Sequence, residues 1–149
     1  MGIRDTVDAE ASQRFAATPE EVFDAWLDPE TIGQWMFGPN VRAEKIVKIE
    51  TDPRVGGKFS FLVDRGGELL DHRGEYLEID RPRRLKFTWG LPQFGTDASE
   101  ITVKIRQRDG CSEATVIHEV EHDFQSSSVR AWSKMLTALE KLLTRKKAA

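Results

Sequence analysis

The strongest constraint on this chain lies near its C-terminus, where Val129, Trp132, Met135, Leu136, Leu139, Leu142 and Leu143 recur at three- and four-residue steps. That spacing gathers one broad apolar stripe on a helix expected over residues 127–144. So wide a stripe must be covered, and the chain before it reads as strands. Period-two alternation with turn chemistry between the runs predicts strands at 7–15, 41–50, 58–63, 72–79, 84–89, 100–108 and 112–122. Asp109-Gly110 is a hairpin signal, because both residues tolerate positive φ. Between the first two strands, Thr18, Pro19 and Glu21 carry the marks of a helix start, with cap, first-turn proline and capping-box glutamate. Asp28-Pro29-Glu30 closes that helix and opens another short one to Trp35. Six sequential strands with short connections form an antiparallel meander, which must twist and curl. The expected fold is therefore α+β: a curved antiparallel sheet of about seven strands around a long C-terminal helix, with two short helices after the first strand.

Composition narrows the function classes. With 149 residues, 39% hydrophobic and 32% charged, the chain can bury a real core, and a single domain spanning residues 1–149 is expected. A net charge of -3 supplies no field that would draw it to nucleic acid. The basic run Arg145, Lys146, Lys147 sits where cations complement a helix C-terminus. One cysteine, Cys111, excludes an intramolecular disulfide and any multi-cysteine zinc site. No apolar run approaches the ~18 residues that span a bilayer, and the first residues lack a signal-peptide core. No membrane association and a cytoplasmic location are the expectations.

Candidate chemistry is sparse. His118 shares strand parity with Val116 and Val120 and should point inward, to orient a ligand, to act as acid or base, or as a core histidine satisfied by a backbone carbonyl. The last reading is preferred. His122 has the same parity but lies roughly 13 Å from His118 along a strand, too far to share a metal. Arg73 with Glu75, and Glu100 with Asp97, fit the solvent side of an antiparallel sheet better than a catalytic pair. Ser126, Ser127 and Ser128 fit the cap and first turn of the last helix better than a nucleophile cluster. No phosphate loop, dinucleotide fingerprint or nucleophile elbow occurs, so no cofactor and no metal are expected. The aromatic residues say more. Trp35, Phe37, Phe61, Tyr76, Trp89, Phe94, His118, Trp132 and Met135 are the expected ligand-binding set, with Phe59 and Phe87 on the same inward faces. Trp35, Phe37 and Phe94 fall on connecting segments, and Tyr76, Trp89 and His118 bring polar atoms into apolar surroundings. Pure core and cavity lining both remain open for the set.

The chain resembles the helix-grip superfamily, also called SRPBCC or START-like, and within it the homologues of the heat-shock chaperone ATPase activator. The resemblance rests on Thr18-Pro19-Glu20-Glu21-Val22-Phe23-Asp24-Ala25-Trp26, on Gln34-Trp35 and Gly38-Pro39, and on Asp52-Pro53-Arg54-Val55-Gly56-Gly57-Lys58-Phe59. It continues through Gly74-Glu75-Tyr76-Leu77-Glu78-Ile79, Pro82-Arg83-Arg84-Leu85-Lys86-Phe87-Thr88-Trp89, Thr115 to His118 and the helix carrying Trp132 to Leu143. It implies a hydrophobic cavity between sheet and C-terminal helix, in a superfamily that includes lipid and hormone carriers, polyketide cyclases and chaperone cofactors. Two departures stand near the expected cavity mouth. Glu119-Val120-Glu121-His122-Asp123-Phe124 replaces a Gly-Leu-like strand ending, and Ala131 stands where a glycine is common. The preferred reading is a binding module for a hydrophobic small molecule, anchored by Tyr76, Trp89 and His118. The alternatives are a co-chaperone-like activator whose partner is a chaperone, and a cyclase or aromatase using His118. The residues do not compose a catalytic constellation, and nothing in them reports oligomeric state.

Overall fold

The computed structural model describes residues 6–91 and 99–148, with side chains as far as Arg145. In chain order the elements are β1 (Thr6–Phe15), α1 (Pro19–Asp24), α2 (Pro29–Trp35), β2 (Lys45–Thr51), β3 (Lys58–Arg65), β4 (Glu68–Asp80), β5 (Arg84–Trp89), β6 (Ser99–Arg108), β7 (Cys111–Glu121) and α3 (Gln125–Ala148), the last two joined by a 3₁₀ turn, His122–Phe124. The seven strands form one antiparallel sheet in the order β1-β7-β6-β5-β4-β3-β2. β2 to β7 make the expected meander, and β1 pairs along β7 from Thr6 opposite Glu121 to Phe15 opposite Ser112. The first and second strands thus occupy opposite edges, and α1 and α2 carry the chain between them.

Local chemistry accounts for the elements. At α1 the Glu21 N–H donates to Thr18 Oγ1 and the Thr18 N–H to Glu21 Oε1, both at 3.1 Å, so two orphan donors are satisfied reciprocally. Asp28 caps α2 through the Thr31 N–H at 3.1 Å. The β6–β7 turn places Asp109 at φ 34° and Gly110 at φ 81°, as a two-residue hairpin of this hand requires. Alternation then sorts the faces. Phe59, Phe61 and Val63 of β3, Ile101, Val103 and Ile105 of β6, and Ala114, Val116 and His118 of β7 are buried. Ion pairs such as Lys86–Glu100 (3.1 Å), Arg84–Glu78 (2.9 Å) and Arg106–Glu113 (2.8 Å) occupy the other face. Glu100 is therefore spoken for by a surface lysine, and Asp97 lies outside the described residues.

The sheet turns its corner at β4. This strand pairs with β3 from Glu68 to Glu75 and with β5 from Tyr76 to Asp80, and the register skips between Tyr76 and Glu78. The skip is a bulge, which bends the strand and strengthens its twist. Gly74 stands beside it, where a Cβ would come 1.9 Å from the Thr88 carbonyl oxygen and 2.4 Å from the Phe59 ring. The corner closes because that side chain is missing. α3 crosses the inner face against β1, β7 and α2, burying Trp132, Met135, Leu136, Leu139, Leu142 and Leu143.

Several boundaries differ from the sequence pattern. β2 starts at Lys45 because the Val41 and Arg42 N–H groups donate back to the Gly38 carbonyl at 3.0 Å, folding 38–44 into a turn with Val41 plugged inward. β4 begins at Glu68, since Gly66 and Gly67 both adopt positive φ and let 68–71 pair with β3. His122 leaves the strand and is exposed. α3 starts at Gln125, so the three serines form its first turn rather than its cap. Ser127 Oγ donates to the Phe124 carbonyl at 3.1 Å, and the Gln125 amide reaches the Asp8 carbonyl at 2.9 Å.

Candidate functional site

Inward parity on β3, β4 and β5 brings Phe59 and Phe61, His72 and Tyr76, and Phe87 and Trp89 onto one curved wall. The turn after α2 adds Phe37, the turn after α1 adds Trp26, and α3 adds Trp132. The rings form a continuous network. Phe37 lies 4.7 Å from His72, His72 5.3 Å from Trp89, Trp89 5.8 Å from Trp132, and Trp132 5.7 Å from Trp26, centroid to centroid. Phe59 joins Tyr76 at 5.4 Å and Phe87 at 5.6 Å. Aromatic pairs at such separations are worth ~0.5–1.5 kcal/mol each beyond their buried area. Every ring of the network is buried except Trp89, which is half-buried.

Five of the expected ligand-binding residues meet in this network: Phe37, Phe61, Tyr76, Trp89 and Trp132. His118 joins through Trp132 at 6.2 Å, and Met135 is buried on the same helix. Trp35 reaches the wall only through an edge contact with Trp26 at 4.7 Å, and its Nε1–H is used on the Ala25 carbonyl at 3.0 Å. Phe94 lies outside the described residues.

His118 is fully committed. Trp132 Nε1–H donates to His118 Nδ1 at 3.2 Å, and His118 Nε2 lies 2.7 Å from Ser99 Oγ, which donates to the Trp89 carbonyl at 3.2 Å. An indole can only donate and a carbonyl can only accept, so the chain assigns the proton to Nε2. Burial pushes the imidazole down to about 4, and it is neutral at pH 7. The expectation of an inward, satisfied histidine holds, but its partners are a hydroxyl and an indole rather than a backbone carbonyl. His72 donates from Nδ1 to the Phe61 carbonyl at 3.1 Å, and burial lowers it too. Neither ring is placed to shuttle protons near neutral pH.

Two donors on the wall are left over. Tyr76 Oη and Trp26 Nε1 are both buried and have no hydrogen-bond partner among the described residues. Leaving such a group unpaired costs about 1–3 kcal/mol. Burial, and then the negative field of Asp52, raise the Tyr76 phenol, so it keeps its proton. Chemically the wall offers apolar area, hydrogen-bond donors and neutral imidazoles.

A buried carboxylate sets the position of Phe37. Glu44 accepts from the Gly38 N–H at 2.8 Å, from Arg42 at 3.1 Å, and from Arg65 at 3.0 and 2.7 Å. Burial would raise this carboxyl, but the Gly38 N–H and the two guanidinium groups outweigh it and hold it below the usual range. Arg42 also donates to the Met36 carbonyl at 2.9 Å and lies 5.7 Å over the Phe37 ring. The segment is thereby tied to β3.

Sequence reasoning missed His72, Trp26 and Glu44. His72 shares parity with Tyr76, which was sufficient to find it. Trp26 read only as part of a helical stripe. Glu44 has no periodic signature, because its partners are Gly38 and Arg42 of its own turn and Arg65 at the end of β3. Two grooves open on the surface. One, of about 340 Å³, runs along Thr51, Asp52, Lys58 and Arg73 and reaches Phe59 of the wall. The other, of about 410 Å³, separates α2 from α3 between Gln34, Asn40, Lys134 and Arg145.

Solved structures share this architecture. Protein SA2116 of Staphylococcus aureus, of unknown function, is 19% identical over 98% of each chain with a TM-score of 0.82. Protein NE0264 of Nitrosomonas europaea is 18% identical over 96% of this chain and 97% of its own, at 0.78. Protein CV1439 of Chromobacterium violaceum is 23% identical over 93% and 96%, at 0.77. At these identities the likeness establishes the fold alone. No curated protein matches the chain. Among the described residues no helix is long and apolar enough to cross a membrane. The sequence profile described as "Activator of Hsp90 ATPase homolog 1-like protein" matches residues 16–144, nearly the whole chain, and with the helix-grip architecture it settles descent: the protein belongs to the activator of Hsp90 ATPase homolog 1-like family.

Proposed function

We propose that the protein is a binding module for a hydrophobic small molecule, held on the aromatic wall between the sheet and α3. One observation carries the reading: a continuous buried ring network that retains two unpaired hydrogen-bond donors, Tyr76 Oη and Trp26 Nε1. A core selected for stability alone pairs its buried polar groups, whereas ligand sites combine apolar walls with a few convergent polar atoms. Phe37, Phe61, Tyr76, Trp89 and Trp132 are the contact residues of this reading, and Trp89, the half-buried ring, is its entrance. Native mass spectrometry of freshly purified protein, followed by denaturation, should release a stoichiometric apolar molecule, and Trp89→Ala should empty the site. Equal retention of that molecule by Trp89→Ala would move the site off the wall.

Family membership favours a second reading, stimulation of a heat-shock chaperone ATPase. A steady-state ATPase assay with the cognate chaperone decides it: no rate change at saturating protein ends the idea.

A further inference from the structure

We infer that the ligand is an uncharged, flat compound bearing hydrogen-bond acceptor oxygens, a ring ketone or quinone in type, bound by Tyr76 Oη–H and Trp26 Nε1–H. The inference deepens the binding-module reading and rests on it.

The two donors belong to residues that flank one ring. Tyr76 and Trp26 both pack against Phe87, with centroids at 6.4 and 6.3 Å. They come from separate parts of the chain, β4 and the turn after α1. Both residues are at least nine-tenths buried. Their neighbours show that the fold pairs such groups where it can: the Nε1–H groups of Trp35 and Trp132, in contact with Trp26, both find acceptors. What is lacking near Phe87 is an acceptor, and a ligand oxygen supplies one.

Charge restricts the class further. Among the described residues the buried polar side chains are Thr31, Glu44, His72, Ser112 and His118, so none of them offers a buried cation to a carboxylate or phosphate ligand. Both histidines are held neutral by burial. The field of Asp52 that keeps Tyr76 protonated equally repels an anionic group placed beside its hydroxyl. A cation is disfavoured for a different reason. A cationic centre cannot accept a hydrogen bond from Tyr76 Oη or Trp26 Nε1, so it would leave both donors unpaired. Flatness follows from the lining, since a wall of aromatic faces and edges packs best against a stacked or edge-on ring.

The test uses three probes of one shape, substituted at the same ring position: acetylnaphthalene, isopropenylnaphthalene and naphthoate. In isopropenylnaphthalene a CH₂ replaces the carbonyl oxygen. Calorimetric titration of the full chain should find the ketone bound about tenfold more tightly than the alkene, the worth of one buried hydrogen bond. Naphthoate should bind more weakly than either. Tyr76→Phe, which keeps the ring, should bring the ketone down to the alkene, and Trp26→Phe should reduce the same gap. Equal affinities for ketone and alkene overturn this inference and leave the binding module standing. So does naphthoate binding as tightly as the ketone. If no probe binds, the module itself falls, and this inference with it. Thermal denaturation of unliganded Tyr76→Phe guards against a fold defect. An unchanged or raised midpoint is expected for removal of an unpaired hydroxyl. A clear drop would mean that a buried water already satisfies the phenol, and would overturn the inference.

Discussion

The inner face has two halves that treat polar atoms differently. On the β6–β7–α3 side they are paired in series: Trp132 to His118, His118 to Ser99, Ser99 to the Trp89 carbonyl. Nearby, Ser112 Oγ donates to the Ala17 carbonyl and ties β7 to the start of α1. On the side formed by β3 to β5 and the turn after α1, His72 is paired with the Phe61 carbonyl, but Tyr76 Oη and Trp26 Nε1 have no partner among the described residues. Burial does not separate the halves, although one is lined mainly by aliphatic and the other by aromatic side chains. The difference teaches that satisfaction of polar atoms, rather than burial, is what would separate scaffold from the proposed binding surface.

The comparison is broken most forcefully at the corner between the halves. Gly74→Ala would place a Cβ against the Thr88 carbonyl, a backbone atom that cannot swing aside. Overpacking of this kind costs roughly 3 kcal/mol, and the urea midpoint should fall accordingly. A loss below about 0.5 kcal/mol would show that the β4 bend does not depend on this contact. A pH titration probes the paired half at nearly the same scale. His118 has a folded value near 4 against an ordinary 6.5, so between these values the unfolded chain binds the extra proton. Stability therefore rises with pH across this window and is lost as pH falls from 6.5 toward 4, by about 3 kcal/mol in full. His72, also lowered by burial, adds in the same direction. In His118→Gln the slope between pH 4 and 6.5 should become markedly shallower, and an unchanged slope would mean that His118 titrates normally in the fold.

Much of this arrangement was legible in the chain. Turn chemistry placed the hairpins, as Asp109-Gly110 with two positive φ values illustrates. Alternation put Phe61, Tyr76, Trp89 and His118 on the inner face, and the three- and four-residue steps gave α3 its buried stripe. What failed was long-range pairing. Nothing local to His118 says that Trp132 and Ser99 will meet its two nitrogens, because those contacts depend on how α3 and β6 cross the strand. Glu44 is the same case, an exposed-looking acid in Arg42-Ala43-Glu44 that becomes buried once Arg65 of β3 reaches it. The unpaired state of Tyr76 is harder still to read. It is a property of everything around the hydroxyl, so no pattern of one strand can encode it.

The sharpest form of the comparison is a matched pair of small substitutions, each removing one hydrogen-bond donor while keeping an aromatic ring. Trp132→Phe takes the N–H from His118 Nδ1 and leaves a buried acceptor unpaired, besides trimming the ring. It should destabilise by about 2 kcal/mol. Tyr76→Phe removes a hydroxyl that bonds to no described residue, so its effect should lie near zero or be slightly stabilising. If stability alone governed the wall, the phenylalanine would be the better residue, and the hydroxyl is retained at a cost to the unliganded fold. Denaturation midpoints of the two variants, measured beside the parent at pH 7, test this directly. Equal losses would erase the distinction between the halves, because Tyr76 would then be as much a part of the paired scaffold as His118. A loss confined to Trp132→Phe keeps the distinction and leaves binding as the function of the phenol.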